Sequence, residues 1–442
     1  MRPLISRRAG KLSGEISVSG DKSISHRALI IGSVAVGETR ILNLLESEDV
    51  LRTVDAVRAL GAQAEKSGDG SWIVSGCGVG GLVRPDSVLD MGNSGTAARL
   101  LIGLLATHPF DTGFSGDDSL SSRPMNRVME PLERMGATFK AAQGGRLPLT
   151  VTGAVSPIPI EYRMEVPSAQ VKSAVLLGGL NAPGVTRIVE DRPSRDHTEL
   201  MLRHFGAQLK TVALPGGGRE IALRGQPELN GSEVNVPADI SSAAFPLVAA
   251  LLVKGSELTL RGVGINPLRC GLLETLNEMG AAIVLGNPRH EAGEAIADIM
   301  VKTAPLKGVE VAAGRAPSMI DEYPILAIAA ACANGITRMN GLAELKVKES
   351  DRLRAIVQGL GSCGVKVEEG ADWLAVHGKG PAPKGGARIT AGNDHRIAMS
   401  FLVLGMAAGE PVGIDDSSSI ATSFPGFVEM MNSMGANIKE GG

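Results

Sequence analysis

Aromatic side chains are scarce in this chain. Its 442 residues include 2 Trp, 2 Tyr and 8 Phe, or 3% in all, against 43% apolar residues. The cores must therefore be aliphatic. Nowhere does an uncharged stretch of about 18 or more apolar residues occur, so no membrane-spanning helix is expected. The start, MRPLISRRAGKLSG, carries adjacent arginines but no apolar run after them, so no signal peptide is expected. Cysteine is rare as well. Cys77, Cys270, Cys332 and Cys363 lie far apart, with no CxxC and no Cys/His cluster. They are expected to be reduced core thiols of a cytoplasmic protein rather than disulfides or zinc ligands. A basic surplus is also lacking: 44 Lys and Arg face 47 Asp and Glu, a net charge of −3. That argues against a general nucleic-acid binder. It leaves room for a small anionic substrate, which needs only a few local cations.

What is abundant is glycine, 57 residues placed between recurring apolar segments, which reads as turns and helix ends rather than disorder. The length predicts two or three domains. Six segments repeat one pattern, an apolar helix-like stretch ending in Gly and running into a strand. They are AVRALGAQAE, PLERMGATFK, MLRHFGAQLK, TLNEMGAAIV, GLGSCGVKVE and MMNSMGANIK, with glycines at Gly61, Gly136, Gly206, Gly280, Gly364 and Gly435. The spacings are 75, 70, 74, 84 and 71 residues. Each glycine is placed to stop a helix at its C-terminal cap. The spacing of 84 is read as a hairpin insertion around VLGNPRHEAGEAIAD.

A second series interleaves with the first: KSISHRALIIGSVAVG, NSGTAARLLIGLLA, SAQVKSAVLLGGL, ISSAAFPLVAALLV, SMIDEYPILAIAAACA and DHRIAMSFLVLGMAAG. Each opens on small or charged polar residues and becomes apolar on most sides, the mark of a buried helix. Two helices per unit, one apolar all round and one amphipathic, predict layered α/β units, three to each half. A boundary is expected near residues 231–239, and LSGEISVSG could belong to the second half if the chain crosses twice.

Helix starts expose free N–H groups and the positive end of the helix dipole, so they attract anions. The inner-helix starts carry Lys22, Ser23 and Arg27; Asn93, Ser94, Gly95 and Thr96; Ser168, Ala169 and Gln170; Asp239, Ser241 and Ser242; Asp321 and Glu322; and Asp394, His395 and Arg396. N-capping alone would explain any one of these sets. Six in parallel, several with Lys or Arg, point beyond capping. Arg123 and Arg127, four apart, would share a face if that region is helical. Lys348, Glu349 and Arg352 precede a helix, and Arg195 adjoins Asp196 and His197. Solvated ion pairs would account for each basic group alone. Arg forks also match carboxylate and phosphate bidentately.

GDKSISHR, GNSGTAARLL, SLSSRPM, PSAQVKSAVLL, DEYPILAIAAA, LKVKESDRL, DHRIAMSF and ATSFP resemble, in order and spacing, the motifs of the 5-enolpyruvylshikimate-3-phosphate synthases, closest to the bacterial class II subgroup. The resemblance covers essentially the whole chain. It implies an α/β fold of two globular domains, each of three βαβαββ repeats, an enolpyruvyl transferase-like inside-out α/β barrel. Residues 18–237 would form the N-terminal domain, on the shikimate 3-phosphate side. Residues 1–17 and 238–442 would form the C-terminal one, with the active site in the cleft between them. The implied reaction joins phosphoenolpyruvate to the 5-hydroxyl of shikimate 3-phosphate through a tetrahedral intermediate, with loss of phosphate. No cofactor or metal is implied. The substrates are small molecules, glyphosate is an expected inhibitor, and a cytoplasmic monomer binding neither nucleic acid nor membrane is expected.

Matched by motif, Lys22, Asp321 and Glu349 would be catalytic. Lys22, Ser23, Arg27, Ser168, Ala169, Gln170, Arg195, Asp321 and Lys348 would hold shikimate 3-phosphate. Lys22, Gly95, Arg123, Gln170, Arg352 and Arg396 would bind phosphoenolpyruvate, with Arg123 preferred over Arg127. The chain departs from the enterobacterial pattern at Leu100, where a Pro is usual, at Ala169, where a second Ser is usual, and at Thr422, where a Lys is usual. Ala169 removes a phosphate hydroxyl and makes Arg195 more important. Gly95 leaves room for glyphosate, which an Ala there excludes in some relatives. The related transferase acting on UDP-N-acetylglucosamine usually has a reactive Cys in its mobile loop, and GFSGDDSLSSRPM has none. An RNA 3′-phosphate cyclase would need an RNA-binding surface, which the net charge does not support. Retention of Lys22, Asp321, Glu349 and Arg396 together argues against an inactive binding protein.

Overall fold

The computed structural model describes residues 2–380 and 382–441. The chain divides into two compact units. One comprises Gly20–Pro237 with His290–Glu294, here the N-terminal unit; the other, the C-terminal unit, comprises Met1–Ser19, Ala238–Arg289 and Ala295–Gly442. Each has its own aliphatic core, spanning Ile24 to Val236 in one and Leu4 to Ile438 in the other.

Six inner helices carry those cores: α1 (Lys22–Ser33), α2 (Gly95–Leu105), α3 (Ala169–Gly179), α4 (Ile240–Leu252), α5 (Tyr323–Cys332) and α6 (His395–Ala407). In α4 every residue from Ile240 to Leu251 is buried, as the all-round apolar pattern predicts. Five of the six are N-capped by the expected side chains. Asp21 accepts from the N–H of Ile24, Ser94 from Ala97, Ser168 from Val171, Asp239 from Ser241, and Asp394 from Arg396 and Ile397. Only α5 lacks a side-chain cap.

The outer helices are Glu48–Ala59, Asn126–Arg134, His197–His204, Gly271–Glu278, Arg352–Ser362 and Phe427–Ser433. Just beyond their ends lie the six repeat glycines, all with φ between 81° and 112°. That left-handed conformation is what a helix needs to turn into the following strand, and Gly reaches it at least cost.

The described residues form six four-stranded sheets, one per repeat. In the second repeat, Leu89–Asp90 pairs in parallel with Asp111–Ser115, which pairs antiparallel with Arg146–Thr152, itself antiparallel to Thr138–Ala142. The order strand, inner helix, strand, outer helix, hairpin is a βαβαββ unit. Two repeats are completed across the chain. Glu233–Asn235 pairs in parallel with Glu38–Leu42 in the N-terminal unit. Ser13–Ile16 pairs in parallel with Glu257–Gly264 in the C-terminal unit. The chain therefore crosses twice, near Ser19 and near Pro237.

The residues behind the long spacing do not form a separate hairpin. They lengthen one already in the fourth sheet, between Ala282–Glu291 and Glu294–Lys302, which turns at Ala292 and Gly293. Residues 290–294 at its tip group with the N-terminal unit rather than with 238–442. The physical reason is a buried bond of 2.7 Å between His197 Nδ1 and Glu294 Oε1.

Candidate active site

In the N-terminal unit the starts of α1, α2 and α3 bring polar groups onto three scaffolds. Lys22 Nζ lies 2.9 Å from Asp49 Oδ2. Arg27, one turn further along α1, is 3% exposed. Its Nε donates to Thr198 Oγ1 at 2.7 Å, its Nη1 to the Ser23 carbonyl at 2.8 Å, and its Nη2 to Ser173 Oγ at 2.9 Å. Burial pulls this guanidinium down to about 10, with Asp21, Glu199 and Glu294 opposing the shift, so it stays cationic at neutral pH.

Gly95 opens α2 between two guanidinium tips. A Cβ there would stand 2.9 Å from Arg99 Nη1 and 3.4 Å from Arg123 Nη1. Arg123 Nη2 donates to Asn93 Oδ1 and Ser119 Oγ, both at 2.9 Å. Arg99 Nη1 donates to Gln170 Oε1 at 2.9 Å, and Gln170 Nε2 donates to Thr96 Oγ1 at 3.1 Å. Two cations and a helix start thus surround one small residue, an arrangement suited to an anion. Arg127 stands exposed on the helix Asn126–Arg134. Arg123 precedes that helix, after the short helix Asp118–Ser121, so the two arginines do not share a helical face.

Ser168 caps α3, its Oγ accepting from Val171 N at 3.4 Å. Ala169 and Gln170 follow, and Arg195 lies half-buried in the segment before the helix His197–His204.

In the C-terminal unit the arrangement centres on Arg352, whose side chain is 0% exposed. Nε meets Asp394 Oδ2 at 2.8 Å, Nη1 meets Asp321 Oδ1 at 3.2 Å, and Nη2 meets Glu349 Oε2 at 2.5 Å. Burial alone would lower the guanidinium pKa, but Asp394, Glu349 and Asp321 together raise it well above the usual range. Asp394 is held below the usual carboxylate range: burial opposes ionisation and Arg352 more than offsets it. Lys348 Nζ adds a second cation 3.2 Å from Asp321 Oδ1. Arg396 Nη1 donates to the Asp321 carbonyl at 3.2 Å and to Ser241 Oγ, and it lies 3.6 Å from Glu322 Oε1. Glu322 is buried and also pairs with Arg269 at 3.2 Å. Chemically, Asp321 and Glu349 are two carboxylates held by one fork, each able to exchange a proton beside several cations.

Lys22, Ser23, Arg27, Gly95, Arg123, Ser168, Ala169, Gln170 and Arg195 lie in the N-terminal unit, and Asp321, Lys348, Glu349, Arg352 and Arg396 in the C-terminal one. Sequence reasoning passed over Asp49, Arg99, Ser173 and Thr198. Arg99 stood in a quoted motif, one turn after Gly95, and that i, i+4 spacing was the available signal.

A sequence model of the EPSP synthase (3-phosphoshikimate 1-carboxyvinyltransferase) family matches residues 6–440. The chain belongs to the EPSP synthase family. It is 62% identical over 437 residues to the 3-phosphoshikimate 1-carboxyvinyltransferase of Paramagnetospirillum magneticum, covering 99% of this chain and 98% of that one. It is 58% identical over 441 residues to the same-named protein of Rhodospirillum rubrum, covering 99% and 98%. The solved EPSP synthase of Acinetobacter baumannii superposes with a TM-score of 0.88 at 42% identity, over 100% of both chains. An enolpyruvyl transferase from Streptomyces tendae shares the fold, with a TM-score of 0.79 at 21% identity over 100% of this chain and 99% of that one. The reaction of the EPSP synthase family carries the enolpyruvyl group of phosphoenolpyruvate to shikimate 3-phosphate.

The positions that set this chain apart from the enterobacterial EPSP synthase pattern have distinct surroundings. Leu100 lies within α2 and is fully buried. Thr422 lies in the turn Ser418–Thr422 and donates its hydroxyl to the Ser419 carbonyl at 2.7 Å. The cysteines are free thiols, and burial pushes Cys270 and Cys332 up to about 12 and Cys363 to about 11. At those values they are poor nucleophiles. Among the described residues no helix is long and apolar enough to cross a membrane.

Proposed function

We propose that this chain transfers the enolpyruvyl group of phosphoenolpyruvate to the 5-hydroxyl of shikimate 3-phosphate, using the residues gathered above. The observation that carries the reading is the joint hold of Arg352 on Asp321 and Glu349. The reaction needs one group to take the hydroxyl proton and another to exchange a proton with C3. In the addition step, the hydroxyl oxygen bonds to C2 as its proton leaves to Asp321, and C3 gains a proton from Glu349. In the elimination step, C3 returns a proton to Glu349 as the C2–O bond to phosphate breaks, and the proton held on Asp321 leaves with the phosphate. Lys22, on α1, assists these transfers.

Shikimate 3-phosphate is assigned to Ser23, Arg27, Ser168, Ala169, Gln170 and Arg195 in the N-terminal unit, with Lys22, Asp321 and Lys348. Phosphoenolpyruvate is assigned to Gly95, Arg123 and Gln170, with Lys22, Arg352 and Arg396. The guanidinium pair beside Gly95 supports the second assignment, because two cations balance the phosphate and carboxylate of that substrate. Glyphosate, which likewise carries a carboxylate and a phosphorus oxyanion, competes there. The enzyme works as a cytoplasmic monomer without a cofactor.

The test mixes purified protein with both substrates and follows inorganic phosphate. Release that requires both substrates is expected. Folded protein that releases none overturns the reading.

A further inference from the structure

Lys172 is a buried lysine to which the proposed chemistry assigns nothing. It sits one turn into α3, with a side chain 0% exposed. Its ammonium meets three acceptors: Glu190 Oε2 at 3.1 Å, Glu199 Oε1 at 2.8 Å, and the Ser194 carbonyl at 3.1 Å. Ser194 is held from every side. Its N–H donates to Glu190 Oε1 at 3.2 Å, its hydroxyl donates to the same oxygen, and its carbonyl also accepts from Arg219 Nη2. Arg219 Nε in turn meets Glu190 Oε2 at 2.9 Å.

The next peptide nitrogen after that carbonyl belongs to Arg195. A buried ion pair kept only for stability could be replaced by apolar packing at little cost. This one instead converges on the peptide that sets where Arg195 begins. Its lysine rises from the helix whose first residues, Ser168 and Ala169, are assigned to the same phosphate. With no hydroxyl at position 169, more of the phosphate's hold falls to Arg195.

We propose that Lys172 is a positioning residue for shikimate 3-phosphate: it ties the start of α3 to Ser194 and thereby places Arg195 against the phosphate. This rests on the assignment of Arg195 to that phosphate. Lys172 touches no substrate. It acts through the backbone, so its removal loosens ground-state binding of one substrate rather than the chemical step.

The experiment is steady-state kinetics on wild type, Arg195→Ala, Lys172→Met and the double variant. Arg195→Ala is expected to raise KM for shikimate 3-phosphate about 10-fold or more. Lys172→Met is expected to raise it about 5- to 10-fold, with kcat and KM for phosphoenolpyruvate within about 3-fold of wild type. In the Arg195→Ala background Lys172→Met adds little, because both changes remove one interaction. Should Lys172→Met not fold, Lys172→Met/Glu199→Gln removes one buried charge of each sign and takes its place. An unchanged KM for shikimate 3-phosphate on changing Lys172 overturns the proposal, as do multiplicative effects in the double variant or a fall in kcat alone. An unchanged KM in Arg195→Ala overturns the phosphate assignment instead, and this proposal with it.

Discussion

Acidification should weaken the N-terminal unit through one histidine. His26 lies on α1, fully buried, with Nδ1 2.7 Å from Thr53 Oγ1 and Nε2 3.4 Å from Ser94 Oγ. Burial, reinforced by the charges of Lys22 and Arg27, pulls its pKa from 6.5 down to about 3. A histidine with a depressed folded pKa contributes stability above its unfolded pKa and loses it as pH falls towards the folded value. Between pH 8 and pH 5 the unfolded imidazole takes up a proton that the folded one refuses. With a gap of about 1.5 pH units between the unfolded pKa and pH 5, the loss is about 2 kcal/mol. Trp72 is buried in this unit and Trp373 lies in the other. In a Trp373→Phe background, urea unfolding followed by fluorescence therefore reports on the N-terminal unit. His26→Gln should flatten the pH dependence by about 2 kcal/mol over that range. Parallel stability curves for the two proteins from pH 8 to pH 5 would refute the argument.

Three further outcomes follow from the packing. Arg352→Met leaves Asp321, Glu349 and Asp394 without their shared cation and should cost about 3–5 kcal/mol, and Arg352→Lys should recover only part because an ammonium cannot form three directed pairs. Denaturant midpoints below a loss of about 1 kcal/mol would contradict this. Gly103→Ala places a Cβ 2.4 Å from Ala174 Cα, where α2 crosses α3 backbone to backbone; despite the better helix propensity of Ala it should cost about 1–3 kcal/mol in urea unfolding. Gly95→Ala displaces only the flexible tips of Arg99 and Arg123, so stability should hold while glyphosate inhibition weakens more than phosphoenolpyruvate binding. Equal losses in inhibition kinetics would count against that steric account.

Much of this was legible because the repeats obey local rules. The stop of each outer helix is written as one Gly, since a left-handed residue is the cheapest exit from a helix. Each inner helix is legible from apolar residues on all sides, and five of the six starts from Ser or Asp, since an orphan N–H needs a nearby acceptor. The resemblance carried Lys22, Gly95, Asp321, Glu349 and Arg396 into site roles, and each lies at or beside an inner-helix start or within the carboxylate cluster of its unit. Arg123 and Arg127 mark the limit. Their four-residue spacing suggested a shared face, but the chain breaks between Ser121 and Asn126, and only Arg123 reaches Gly95.

The sequence by itself determined the number of repeats, the two helix types, the helix ends and the family. Those depend on periodicity and on backbone preferences that act within a few residues. Only the tertiary structure decided that Ser13–Ile16 pairs with Glu257–Gly264 and Glu233–Asn235 with Glu38–Leu42, because strand pairing is a choice among distant partners of similar pattern. Only it decided that Arg352 is buried among three carboxylates, that Arg99 bonds Gln170, and that Lys172 bonds the Ser194 carbonyl. A charged side chain in a sequence looks solvated until its partners are known. For Arg99 the partner lies 71 residues away and for Arg27 it lies 171 away, each supplied by a neighbouring element of the same unit.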